Sequence, residues 1–245
     1  LAKGLWEAKV SKVTVNLLGA GAVKIGDGEK TIYIDAFSGW LKLSGVEKAD
    51  LILITHDDGD HFGAKETAQA ALDTGALVVG PPSIAYPLLA DEEFPKEQLR
   101  IIYPVHLKQP VTEEVSGVKL KVYQTTHFVD WHPPHVSYLI ELAGERLYVT
   151  GDSNMMDDED LDLQHLDAIV YSLVPKDLAA PGVMEAHVAA LRDVQRCFSP
   201  RYVLPSHLVD CDWTVEPADL RRAIEVKGLE NIVVVETKEE TFETA

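Results

Sequence analysis

Cysteine is nearly absent from this chain: only Cys197 and Cys211 occur in 245 residues. Two thiols make no disulfide framework, and a reducing compartment fits them. Positive charge is scarce too. There are 22 basic residues against 40 acidic ones, a formal net charge of −18. A surface that acidic repels phosphate backbones and anionic headgroups, so neither nucleic acid nor a membrane surface is an expected partner. No apolar run reaches the roughly 18 residues of a membrane span. The N-terminal LAKGLWEAKV has no long apolar core of the signal-peptide kind. The cytoplasm is therefore the expected location, and the sequence leaves room for a homo-oligomer. Low-complexity linkers and internal repeats are missing as well, so one domain over residues 1–245 is expected.

What is present is a core and a strand-rich pattern. Hydrophobic residues make up 46% of the chain. KVTVNLL (12–18) alternates, and GAGAVKIGDGEKTIYID (19–35) predicts a hairpin turning at Gly26–Gly28. LILIT (51–55) and ALVVG (76–80) are continuous apolar runs, as in strands buried on both faces. Between them AKETAQAALDTG (64–75) is helical and ends on Gly75. PSIAYPLLA (82–90) predicts a short helix. Further strands are expected at 118–126, 136–142, 146–150, 168–172, 202–205 and 231–236, and helices at 184–198 and 217–228. Hairpins followed by strand–helix–strand units predict an α/β fold, two mixed sheets face to face with helices outside.

The chemistry concentrates where LILIT ends. In THDDGDH, His56, Asp58, Asp60 and His61 stand at i, i+2, i+4 and i+5. Sheet-based folds favour ligand sites at the carboxyl ends of strands. In extended backbone, i and i+2 point to one side, so His56 and Asp58 are placed to grip one ion. Past Gly59, which lets the backbone bend, Asp60 and His61 are placed to face a second. Nitrogen and oxygen donors at this density suit divalent metals. Three further strands end on a potential ligand: VYQTTH on His127, RLYVTGDS on Asp152, YVLPSH on His207.

The order THDDGDH, His127, VTGDS, PSH resembles the metallo-β-lactamase-fold hydrolases, whose hallmark is T-H-x-H-x-D-H followed by a distant His, a G-D-[ST] turn and a final His. YIDAF (33–37) is similar to the early I-D-P segment of that family, and 184–207 is similar to its last helix and strand. The branch with ascorbate-phosphate lactonase is the most similar in length. The resemblance implies a four-layer αββα sandwich and metal-assisted hydrolysis of a small-molecule ester, lactone or phosphodiester. It also implies two divalent ions, zinc or manganese, with iron as a further choice. His56, Asp58 and His127 would hold the first ion, and Asp60, His61 and His207 the second. Asp152 would bridge both, and Asp60 would orient the nucleophile or pass on its proton.

One position departs from the hallmark, because Asp58 stands where the second His belongs. Three readings of Asp58 are open: a working ligand in an altered site, a weakened first site, or lost chemistry. Two ions carry about four positive charges, and three carboxylates with a hydroxide supply about four negative ones. More oxygen shifts preference toward manganese or iron. Ala20 also stands where some relatives place a His. Other candidates lie around this set. His135, in HFVDWHPPH with Trp131 and His132, is a candidate for substrate binding or acid catalysis on a loop overhanging the pocket. His187 is a candidate substrate contact, Ser153 a turn residue and Asp57 solvent-facing. Cys211 between Asp210 and Asp212 reads as a free thiol, His106 and His165 as surface or structural residues, and MMDDEDLD (155–162) as a solvated run. A diiron redox protein and a non-catalytic metal-binding protein are the competing readings.

Overall fold

The computed structural model describes residues 12–41, 43, 46–107, 109–128, 134–153, 163–173, 182–208 and 215–244. Within them two mixed sheets form. One contains β1 (Thr14–Gly19), β2 (Ala22–Gly26), β3 (Thr31–Ile34), β4 (Leu51–Leu53), β5 (Leu77–Gly80), β6 (Leu99–Ile101) and β13 (Phe242–Glu243), in the order β13-β1-β2-β3-β4-β5-β6. Strands β1 to β3 pair antiparallel, then β3 to β6 run parallel. The other contains β7 (Val111–Val115), β8 (Val118–Thr125), β9 (His135–Leu142), β10 (Glu145–Val149), β11 (Ala168–Ser172) and β12 (Tyr202–Ser206), in the order β12-β11-β10-β9-β8-β7. Here β7 to β10 are antiparallel, and β10, β11 and β12 are parallel.

Three apolar clusters stack the layers. The central one joins the facing sides of the sheets: Val15, Ile25, Ile32, Leu51 and Leu53 meet Leu120, Val122, Val136, Ile140 and Leu147. A second cluster packs the outer face of β8 to β12 on α3 (Val183–Phe198) and α4 (Pro217–Lys227). A third packs the outer face of β3 to β5 on α1 (Ala64–Thr74) and α2 (Ala85–Leu89). The result is the four-layer αββα sandwich expected. Each fully buried Val, Leu or Ile in these layers contributes about 1.5–3 kcal/mol, which is why strands buried on both faces, such as β4, read as unbroken apolar runs.

Helix ends follow local chemistry. Gly75 and Gly228 take the left-handed conformation that closes α1 and α4, and Pro217 opens α4. Val188, Leu191, Val194 and Phe198 form the buried stripe of α3. Residues 231–236 differ from the expected strand. The segment meets β12 at one bridge, Val203 to Ile232, with Val234 buried in the helix-side cluster and Val235 in the central one. Its apolar run therefore seals the edge between two layers instead of extending a ladder. The short edge strands β6, β7 and β13 carry exposed or charged residues and lacked a readable pattern. Among the described residues, no helix is long and apolar enough to cross a membrane.

The two sheets are joined by hydrogen bonds at one end. The buried Tyr138 hydroxyl on β9 donates to the Ile54 carbonyl at 2.7 Å, and the Val136 N–H donates to the Thr55 carbonyl at 2.9 Å. Burial raises the Tyr138 phenol well above its ordinary range, so it stays a donor. Replacing Tyr138 by Phe leaves a buried carbonyl without its partner, at a cost of about 1–3 kcal/mol. Thermal denaturation is expected to show Tyr138→Phe melting several degrees lower; an unchanged midpoint contradicts the role given to this bond.

Candidate metal centre

The joined end is where the strands deliver their donors. The chain leaves β4 through Thr55 into His56, β8 into His127, β10 into Asp152 and β12 into His207. Local hydrogen bonds set the loops. The Asp58 carbonyl accepts the N–H groups of His61 (2.9 Å) and Phe62 (2.8 Å), curling the ligand loop. A bridge pairs His127 with Ser153, and the Phe128 N–H donates to the Asp152 carbonyl at 2.9 Å. His207, at φ 62, donates its N–H to Ala20 of the opposite sheet at 2.9 Å.

These constraints assemble two donor groups, His56 with Asp58 and His127, and Asp60 with His61 and His207. Asp58 Oδ2 lies 3.5 Å from His56 Nε2 and 3.4 Å from His127 Nε2. His61 Nε2 lies 3.5 Å from Asp60 Oδ2 and 3.3 Å from His207 Nε2. Asp152 stands between the groups. Its Oδ2 is 3.4 Å from His61 Nε2 and 3.8 Å from His127 Nε2, and its Oδ1 is 3.3 Å from His207 Nε2. Donors held at about 2.1 Å by one tetrahedral ion lie roughly 3.4 Å apart, so these spacings fit metal ligation. The imidazoles are buried; Asp58 and Asp60 are the partly exposed members.

The tautomers follow from a buried network. Asp35 accepts the Thr55 N–H (2.8 Å), the Thr55 hydroxyl (2.5 Å) and His61 Nδ1–H (2.9 Å). With its proton given to Asp35, Thr55 Oγ1 accepts from His56 Nδ1 at 2.9 Å. Ser172 does the same on the other side, donating to Asp152 Oδ1 at 2.9 Å and accepting from His207 Nδ1 at 3.1 Å. Each ring is thereby held with its Nε2 lone pair turned inward, the arrangement that outer hydrogen bonds impose on metal-binding histidines. Asp35 also falls within reach of His56 and His61 as a donor group. Its oxygens are already engaged with Thr55 and His61, whose side chains it orients.

Charge makes the same case. Two imidazole lone pairs facing at 3.3 Å repel unless a cation lies among them. Burial by itself would lower the His61 imidazole, yet Asp152 and Asp35 outweigh it and raise it well above the ordinary range. Burial lowers His207, partly opposed by Asp152. Burial would raise Asp152, yet His207 and His61 hold it well below the usual carboxylate range. Asp152 and Asp35 thus favour positive charge at His61, among buried donors. His56 Nε2, buried without a hydrogen-bond partner, is a further position that an ion would satisfy.

The structure brings His56, Asp58, Asp60, His61, His127, Asp152 and His207 together. His135 does not sit on an overhanging loop. It is the buried first residue of β9, its ring 4.9 Å from that of His56. Its Nδ1 bonds Thr125, and burial together with His56 keeps it well below its ordinary range, hence neutral. His187 is buried on α3, outside both groups, and burial lowers it. Ser153 is buried at its bridge, His106 and His165 are exposed, and Asp57 has one buried oxygen instead of a fully solvated carboxylate. Trp131, His132, Asp210, Cys211, Asp212 and the run 155–162 lie outside the described residues.

Sequence reasoning missed the supports. Asp35 carries no signal beyond its place in YIDAF, and Thr55 and Ser172 read as ordinary strand residues. Two glycines were also missed. A Cβ on Gly21 would lie 2.4 Å from His61 Cε1 and 2.8 Å from His207 Cε1, and one on Gly151 would lie 2.8 Å from Thr55. Their visible signals were the GAG stretch for Gly21 and the VTGDS turn for Gly151.

Comparison with known proteins agrees with this geometry. A family model described as Beta-lactamase superfamily domain matches residues 30–208. A metal-dependent hydrolase from Thermococcus onnurineus is 31% identical over 208 residues, covering 80% of this chain and 84% of that protein. One from Thermus thermophilus is 31% identical over 153 residues, covering 60% of this chain and 64% of that protein, a little under two thirds of its length. Among solved structures, Igni18, a metallo hydrolase from Ignicoccus hospitalis, superposes with a TM-score of 0.68 at 20% identity, covering 96% of this chain and 99% of that one. At that identity the match shows a shared fold.

Gly21→Ala tests the close packing. A methyl group there displaces His61 and His207, so elemental analysis is expected to find less bound metal than in wild type, while circular dichroism shows a folded chain. Undiminished metal content contradicts it.

Proposed function

The chain belongs to the family described as Beta-lactamase superfamily domain, and from that membership we propose that it is a metal-dependent hydrolase of a small molecule. The substrate class is an ester, a lactone or a phosphodiester. The observation that carries the reading is the pair of His/Asp donor groups flanking Asp152, with the lone pairs of His61, His56 and His207 aimed inward by Asp35, Thr55 and Ser172. His56, Asp58 and His127 would hold one divalent ion, Asp60, His61 and His207 a second, with Asp152 shared. The fold's relatives are named metal-dependent hydrolases. Acidic composition supports a small uncharged or cationic substrate over nucleic acid, and scarce cysteine supports a cytoplasmic setting.

Divalent ions at such a centre supply Lewis acidity, which makes water nucleophilic near neutral pH and polarises the oxygen of the scissile group. The chain's own residues do the rest. Asp60 is partly exposed at the solvent side, where it orients an incoming water and takes its proton. His61 and His207 stay fixed because Asp35 and Ser172 hold their outer nitrogens. His135, buried and kept neutral, packs its ring against that of His56.

Asp58 sets the metal. A group of two imidazoles and one carboxylate is richer in oxygen than three imidazoles, which favours manganese or iron over zinc. Protein purified without chelator is expected to carry about two manganese or zinc ions per chain and to hydrolyse a member of an ester, lactone and phosphodiester panel. Less than one metal per chain, with no activity after reconstitution, contradicts the proposal. The same oxygen-rich group supports a second reading, an iron-dependent redox protein, whose signature is bound iron with visible absorbance.

For the ligand itself, Asp58→His is expected to keep the fold and move metal preference toward zinc in competition assays. If Asp58→Ala leaves metal content and activity as in wild type, Asp58 is not a ligand.

A further inference from the structure

Beside the ligand loop stands an aromatic side chain that the metal centre does not use. Trp40 is 63% exposed. Its Nε1 lies 3.8 Å from the position a Cβ on Gly59 would take, and Gly59 separates Asp58 from Asp60. Its backbone is held there. Ser38 Oγ accepts the N–H groups of Trp40 (3.3 Å) and Leu41 (3.1 Å), and Ser38 is buried. Phe37 bridges Phe62, its carbonyl accepts the Gly63 N–H at 2.8 Å, and Gly39 N is 3.0 Å from the Cβ position of Gly63. The indole is thus carried on a segment clamped to the loop that supplies one donor to each group.

The exposure of the donors gives this placement its meaning. The four ligand imidazoles are 2% exposed or less, whereas Asp58 is 25% and Asp60 17% exposed. Among the described residues, the donors open to solvent are therefore the two carboxylates on either side of Gly59, the glycine beside which the Trp40 indole nitrogen lies. A second ring, Phe128, lies against His127 at 4.4 Å between centroids. An exposed indole costs hydrophobic free energy that burial under a ligand recovers, and its face suits planar apolar groups.

We propose that Trp40 is a specificity-determining residue, the wall against which an aromatic substituent of the substrate lies while its hydrolysable group meets the Asp58–Asp60 side of the centre. This deepens the hydrolase reading and rests on it: the substrate class becomes an aryl-bearing ester or lactone.

The test uses the metal-loaded protein and two carboxylates that mimic an acyl product, phenylacetate and acetate, with calorimetry as the readout. Wild type is expected to bind phenylacetate more tightly than acetate by about two- to tenfold, the range of an aromatic pair. In Trp40→Ala that preference is lost while metal per chain stays at the wild-type value, and Trp40→Phe retains most of it. Equal binding of the two carboxylates by wild type overturns the proposal, as does a preference that survives in Trp40→Ala. Loss of metal in Trp40→Ala overturns it too, because the indole would then be a support of the ligand loop. Failure of the hydrolase reading is separate: it shows as no turnover in the substrate panel with the phenylacetate preference intact.

Discussion

Asp35 is the group on which the centre depends. A fully buried carboxylate is costly unless its oxygens are paired, and those of Asp35 bond the Thr55 N–H, the Thr55 hydroxyl and the His61 ring. It holds a backbone φ of 52° to do so, a conformation that non-glycine residues rarely keep without purpose. Through Thr55 it also fixes His56. One carboxylate on the first sheet thereby orients one imidazole in each donor group. Ser172 on the second sheet plays the matching part for His207 and Asp152.

Such a network needs a rigid frame, and the layers supply it. The central apolar cluster locks the sheets face to face, and Tyr138 and Val136 tie their ends where β4 and β9 meet. Gly21 and Gly151 allow the backbone to pass directly against the imidazoles and Thr55. The buried nitrogens are packed below, and the two carboxylates of the ligand loop face outward. The buried side of the centre is thus rich in imidazole nitrogen and its partly exposed side in carboxylate oxygen.

Much of this was legible along the chain. Runs buried on both faces, β4 and β5, showed as continuous apolar stretches, and α1 and α4 announced their ends with Gly75 and Gly228. The candidate donors were legible because His56, His127, Asp152 and His207 stand within three residues of a strand's end, with Asp58, Asp60 and His61 in the loop after His56, so their positions are local. The hidden parts are those whose role depends on a distant partner. Residues 231–236 look like a strand, yet they divide their side chains between two layers. His135 looked like a loop residue among prolines, but pairing of Thr125 with His135 draws it into β9 and buries it.

By itself, then, the sequence determined the layer pattern and where the seven candidate donors stand along the chain, because hydrophobic periodicity and residue type are local properties of a chain. Only the tertiary structure decided which nitrogen of His56, His61 and His207 faces inward, and which carboxylates are held by buried donors and which stand partly exposed. Those depend on hydrogen bonds such as Asp35 to His61 and Ser172 to His207, made between residues 26 and 35 positions apart. They also depend on burial, which exists only once the two sheets have closed on each other.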